Sequence, residues 1–213
     1  MAIYYTLMFF RQAPKPKWST MVMLALSFAF ALSIRVGALI LIGYMGLWGL
    51  MWVVFHTLGN RKELKGGKKE AFFSAIDWSA TFKMIGYALA ICVIGFFVGI
   101  LLWPYAWQSP ITNTIDSYKA MSQFAINIRQ VYEGLFLMSN ELPWYYTPKF
   151  ILTTIPIAVI IGWLMFPFVG AFNRERRMES IMIYFVCIFP VFWIVYTHAN
   201  VYGGWRHSLF AYP

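Results

Sequence analysis

Residues 18–55, WSTMVMLALSFAFALSIRVGALILIGYMGLWGLMWVVF, decide the fold of this chain. They carry a single charged side chain, Arg35. A bilayer core is crossed by about 20 helical residues, so the run is too long for one span. Two short apolar helices, Trp18 to Ile34 and Val36 to Phe55, meeting near Ser33-Ile-Arg-Val-Gly37, account for it better. As a hairpin they return the chain to the side from which it entered.

The rest of the chain repeats this pattern. Of its 213 residues, 61% are hydrophobic and 12% charged, against roughly 25% charged in soluble domains, and the mean hydropathy is +0.63. Further spans are expected over Met84 to Trp103, Phe150 to Phe168 and Ile181 to Tyr196. Met1 to Phe10 is apolar, with no basic region before it and no small-residue cleavage site after it, so it reads as the tail of a helix and not as a leader. The fold class expected is all-α: a polytopic transmembrane helix bundle over 1–213, with one outward-facing, partly helical loop at 104–149.

Charge sets the orientation. Arg11, Lys15 and Lys17, then Arg61, Lys62, Lys65, Lys68, Lys69 and Lys83, then Arg174, Arg176 and Arg177 account for twelve of the 17 basic residues. Lys and Arg collect in cytoplasmic loops, so loops 11–17, 57–83 and 170–180 are expected inside, with 104–149 and 198–213 outside a cytoplasmic (inner) membrane. The net charge of +9 is thus spent on topology, and a nucleic-acid partner is not expected. Cys92 and Cys187 lie in apolar runs and read as small hydrophobes. No cluster has zinc-type ligand spacing. No cofactor is expected, while a divalent metal is left open.

Three outer or interfacial segments could carry chemistry. Arg35 stands at the tip of the hairpin, where a cation reaches a lipid phosphate or simply snorkels to the headgroups. In the outer loop, Phe124, Ile128 and Val131 recur at helical spacing between Asp116 and Glu133, which predicts an amphipathic interfacial helix. Asn140-Glu-Leu-Pro-Trp-Tyr-Tyr-Thr-Pro-Lys149 follows, with two prolines that preclude a regular helix between them. Its Trp144, Tyr145 and Tyr146 present flat faces with polar tips, suited to a sugar ring or to a membrane interface. Last comes Val201-Tyr-Gly-Gly-Trp-Arg-His207. Arg206 offers a planar fork matched to phosphate oxygens, His207 a proton or a phosphate contact, and Tyr202 and Trp205 stacking surfaces.

These segments resemble a known group. Ser33-Ile-Arg-Val-Gly-Ala-Leu-Ile40, Leu142-Pro-Trp-Tyr-Tyr-Thr-Pro-Lys-Phe-Ile-Leu-Thr-Thr-Ile-Pro156 and Gly204-Trp-Arg-His-Ser-Leu-Phe-Ala-Tyr-Pro213 are similar to segments of bacterial, family-39-type GT-C glycosyltransferases. That group includes the protein mannosyltransferases and the aminoarabinose transferase of lipid A. The resemblance implies transfer of a sugar from a polyprenyl-phosphate carrier to a lipid, glycan or protein acceptor outside the membrane. It implies donor-phosphate contacts at Arg206, then Arg35, with His207 sharing the phosphate or positioning the sugar. Glu141, Trp144, Tyr145, Tyr146, Tyr202 and Trp205 would face sugar or acceptor. The acidic base of such enzymes lies in a first outer loop that this sequence does not contain, so the chain is expected to be an internal fragment that does not turn over alone. The rival readings are a non-catalytic polytopic subunit or scaffold, and a lipid or solute transporter. The transporter reading expects polar residues along the spans, where only Arg35 qualifies.

Overall fold

The computed structural model describes residues 1–63, 72–122, 127–172, 177–197 and 203. It is mainly helical: α1 (Ala2–Arg11), α2 (Trp18–Ile34), α3 (Ile40–Glu63), α4 (Trp78–Leu101), α5 (Pro104–Trp107), α6 (Thr112–Ser122), then strands β1 (Arg129–Tyr132) and β2 (Leu135–Met138), then α7 (Tyr146–Thr154), α8 (Ile157–Phe172) and α9 (Arg177–Tyr196). Three helical stretches, Val36–Gly59, Trp78–Leu101 and Arg177–Tyr196, are long and apolar enough to cross a membrane, or four if α7 and α8 count as one broken span. The chain divides into two compact units, 1–118 and 119–213.

In the first unit the break in the long apolar run falls at Arg35, which is extended (φ −153°, ψ 125°) and exposed. A short 3-10 turn, Val36–Leu39, leads from it into α3. The two arms do not close on each other as a simple hairpin. Helix α2 packs chiefly on α4 and also on α1, and α1 in turn contacts α3. The α2–α4 seam buries Leu24, Ala25, Phe28, Ala29 and Leu32 against Met84, Ile91, Gly95, Gly99 and Ile100. These positions recur every three or four residues, one stripe on each helix.

Two glycines set how near the helices come. A Cβ on Gly95 would lie 2.6 Å from Phe28 Cδ1 and 3.0 Å from the Ala25 carbonyl oxygen. One on Gly99 would lie 3.0 Å from the Ala29 oxygen. The other side of α4 exposes Phe82, Leu89, Val93 and Phe97. Large apolar side chains left outward all along a helix fit a lipid environment and would be a liability in water. Asp77 starts α4 earlier than hydropathy suggests, accepting from Ala80 N at 3.0 Å. Lys83, counted above with a basic loop, therefore lies within α4, and Arg11 and Arg177 lie within α1 and α9. Lys65, Lys68, Lys69, Arg174 and Arg176 fall outside the described residues.

In the second unit two expectations are corrected. The span anticipated over Phe150 to Phe168 is broken, because α7 and α8 meet at 111°. Pro156 has no N–H to donate and disfavours a helical residue before it, and Ile155 is accordingly extended (φ −84°, ψ 133°). Helix α8 packs on α9, with Trp163 and Tyr184 stacked at 4.8 Å. The second correction is the amphipathic helix expected between Asp116 and Glu133. Helix α6 ends at Ser122, Phe124 lies outside the described residues, and Val131 belongs to an antiparallel hairpin in the register Arg129↔Met138, Gln130↔Leu137, Val131↔Phe136, Tyr132↔Leu135. Glu133 and Gly134 form its two-residue turn, both at positive φ (53° and 81°), as a type I′ connection requires.

Gly99→Val should lower thermal stability in detergent by about 1–3 kcal/mol, since added atoms meet backbone that cannot move aside. Gly86→Ala, at a position with open space around its Cβ, should be nearly neutral. Equal effects of the two on melting temperature would contradict this packing.

Candidate functional site: an aromatic surface on a hairpin

The alternation of the hairpin gives it two faces. One, with Val131, Phe136 and Met138 beside Arg129, is turned outward. The other carries Gln130 and Tyr132 onto α7. There the Tyr132 ring lies 4.9 Å from Tyr146 and 6.0 Å from Phe150, and Tyr146 lies 4.9 Å from Phe150. The Lys149 ammonium stands 5.7 Å from the Tyr132 ring centre, within cation–π range, and pairs with the Glu133 carboxylate at the turn. Ser139 closes the open end of the hairpin: its N–H donates to Ile128 O and its Oγ accepts from Ile128 N, both at 3.0 Å.

Above this layer, Trp144 and Tyr145 meet edge to face at 5.8 Å, and Trp144 is 64% exposed. Glu141 is exposed beside them, its Oε2 accepting from Met138 N at 3.2 Å. Of the expected sugar-facing residues, Trp144 and Tyr145 meet at the surface, and Glu141 is exposed three residues before Trp144 in sequence. Tyr146 lies beneath them, 3% exposed, as support. It begins α7, two residues before Pro148, so the segment between Pro143 and Pro148 is in part helical, contrary to expectation. A proline in the first turn sacrifices no intrahelical hydrogen bond.

One further contact reaches this layer from the end of the chain. Gly203, at φ 68°, donates its N–H to Gln130 Oε1 at 2.9 Å, and the same oxygen accepts from the Tyr146 hydroxyl at 2.8 Å. Tyr202, Trp205, Arg206 and His207 lie outside the described residues, and Arg35 belongs to the first unit. Reading by residue type missed Gln130, Tyr132, Lys149 and Phe150. The available signal was Glu133-Gly134 between Val131-Tyr132 and Leu135-Phe136, a turn dipeptide flanked by strand-forming residues.

Among the described residues no three His, Cys, Asp or Glu side chains come together as metal ligands would. The hydrogen bond from Lys149 holds the Glu133 carboxyl below its ordinary value. Burial, then the adjacent Glu133 charge, push the Tyr132 hydroxyl upward, so it stays protonated at physiological pH. No known protein family, curated protein or solved structure matches the chain.

Because the folded-state pKa of Glu133 is depressed, its contribution to holding the hairpin on α7 is present above the ordinary carboxylate pKa and lost as pH falls through the lowered value. In Lys149→Met the Glu133 carboxyl should titrate at higher pH than in the native protein, because the hydrogen bond that lowers it is lost, read by a carbon-detected NMR titration. An unchanged titration would show that the pair does not form in solution.

Proposed function

We propose that this chain belongs to a membrane glycosyltransferase that moves a sugar from a polyprenyl-phosphate carrier to a lipid, glycan or protein acceptor at the outer face of the cytoplasmic membrane. One observation carries the reading: the hydrogen bond from Gly203 to Gln130. It ties Gly203, the residue that precedes Gly204–Pro213 in sequence, to Gln130 on the layer that supports Trp144 and Tyr145. In this reading the two stretches whose residue types suit phosphate and sugar work together. The apolar helices supply the setting that a lipid-linked donor needs.

In this reading Trp144 and Tyr145 stack on the sugar, Glu141 accepts from its hydroxyls, and Arg206 binds the donor phosphate with His207 beside it. The reaction breaks the bond between the anomeric carbon and the phosphate oxygen. Its electron pair departs with the phosphate, where the Arg206 guanidinium offsets the growing charge. An acceptor hydroxyl forms the new bond and gives its proton to a carboxylate base, which is not assigned to a residue of this chain. Arg35, at the end of α2, takes a lipid phosphate at the interface.

The test is transfer of labelled sugar from polyprenyl phosphate in proteoliposomes carrying the protein as encoded. Arg206→Ala should reduce transfer about 10²–10³-fold, the scale for losing one group that stabilises developing charge. Trp144→Ala should act mainly on KM. If every donor keeps its label and both variants match the native protein, the chain is a non-catalytic membrane subunit.

A further inference from the structure

We infer that α6 is an interfacial helix: it lies along the membrane surface with Ile111, Ile115 and Tyr118 seated among lipid acyl chains. The inference does not draw on the transferase reading above.

Helix α6 is amphipathic in an inverted sense. Asn113, Thr114 and Ser117 form its less exposed side, with Thr114 buried, whereas Ile111, Ile115 and Tyr118 are exposed. The N–H of Ile115 donates to Ile111 O at 3.0 Å, so Ile111 already follows the helical path. Residues spaced by four and then three share one side of a helix, and these three form a single stripe. Thr112 and Asp116, also exposed, lie one turn apart on the next stripe. The outward surface is thus divided lengthwise into an apolar strip and a polar one, as in helices that lie where acyl chains meet water. With 11 residues the helix is about 16 Å long. That is roughly half of a bilayer core of about 30 Å, too short to cross it.

Lipid is the occupant because the stripe continues a surface that already suits lipid. Helix α4, long and apolar enough to cross a membrane, exposes Phe82, Leu89, Val93 and Phe97 and ends with Leu101 and Leu102 exposed. Two side-chain hydrogen bonds tie the following segment to that end. The Trp107 indole N–H donates to Ile100 O at 2.8 Å, and the Asn113 side-chain amide donates to Tyr105 O at 2.7 Å. Tyr105 and Trp107 are themselves exposed, as aromatic side chains at a membrane–water boundary are. Helix α6 is thereby held close to the level at which α4 ends. A second copy of the chain fits the stripe less well. A stable interface takes about 800 Å² from each partner, more than three side chains supply.

The experiment attaches a nitroxide to the whole chain at one position at a time, using Ile111→Cys, Thr112→Cys, Ile115→Cys, Asp116→Cys and Tyr118→Cys. Each is made with Cys92→Ala and Cys187→Ala and placed in liposomes of phosphatidylcholine and phosphatidylglycerol. Oxygen, which partitions into lipid, should relax the labels at 111, 115 and 118 several-fold more than a water-soluble nickel chelate does. At 112 and 116 the order should reverse. A second readout needs no substitution: a carbene reagent dissolved in the bilayer should mark Ile111, Ile115 and Tyr118 of the native protein several-fold more than Thr112 and Asp116. Equal access of the nickel chelate to all five positions would put the stripe in water and overturn the inference. Protection of 111, 115 and 118 from both oxygen and chelate, with no carbene mark, would put a protein partner there and overturn it as well.

Discussion

Helix α4 meets α2 at Gly95 and Gly99, where the missing side chains let the carbonyl oxygens of Ala25 and Ala29 come within 3.0 Å of the positions that Cβ atoms would take. In water, burial of an apolar stripe would select that pairing. Here the stripe is not distinctive, since the opposite side of α4 is as apolar as the contact side. Lipid satisfies an exposed leucine as well as a neighbouring helix does, so selection falls to shape. Small residues allow dispersion contacts at short range and backbone-to-backbone approach, and the remaining contacts of the first unit accommodate that seam. Helix α1 fits beside α2 and reaches α3, where Phe10 approaches Gly49.

The second unit uses aromatic faces for the same end. Trp163 on Tyr184 joins α8 to α9, and Tyr132 on Tyr146 and Phe150 joins the hairpin to α7. Rings are stiff and have a preferred mutual geometry, which suits a place where the chain must turn sharply at Pro156 and still hold a surface still. The bend also decides what α7 presents. It turns α7 across the direction of α8, and α7 with its hairpin can then serve as a platform for Trp144 and Tyr145 instead of continuing a span. The exposed Glu133–Lys149 pair adds register more than energy, as solvated ion pairs do.

Among the described residues a few side-chain hydrogen bonds join segments distant in sequence. Gln130 is the clearest case. A neutral amide that accepts from a buried phenol and from the backbone N–H of Gly203 links strand β1, helix α7 and Gly203.

Several features were legible from residue order alone. Length and hydropathy located the apolar helices, the single cation in residues 18–55 marked the break at Arg35, and Glu141-Leu-Pro-Trp-Tyr-Tyr146 announced an aromatic surface. Each of these depends on composition within one turn or one span. What the sequence left undecided depends on partners. Ile128 and Val131 suit a helix face or a strand equally by spacing, and only the turn at Glu133-Gly134 with a cross-strand partner in Phe136 settles the choice. The apolar run across Ile155-Pro156 has span-like hydropathy, yet the geometry at Pro156 divides it. Tyr145 and Tyr146 are adjacent and identical in kind, and the hairpin buries one while leaving the other at the surface. Hydropathy is a property of residues, whereas pairing, bend and burial belong to the neighbours that folding supplies, and those were decided only in the tertiary structure.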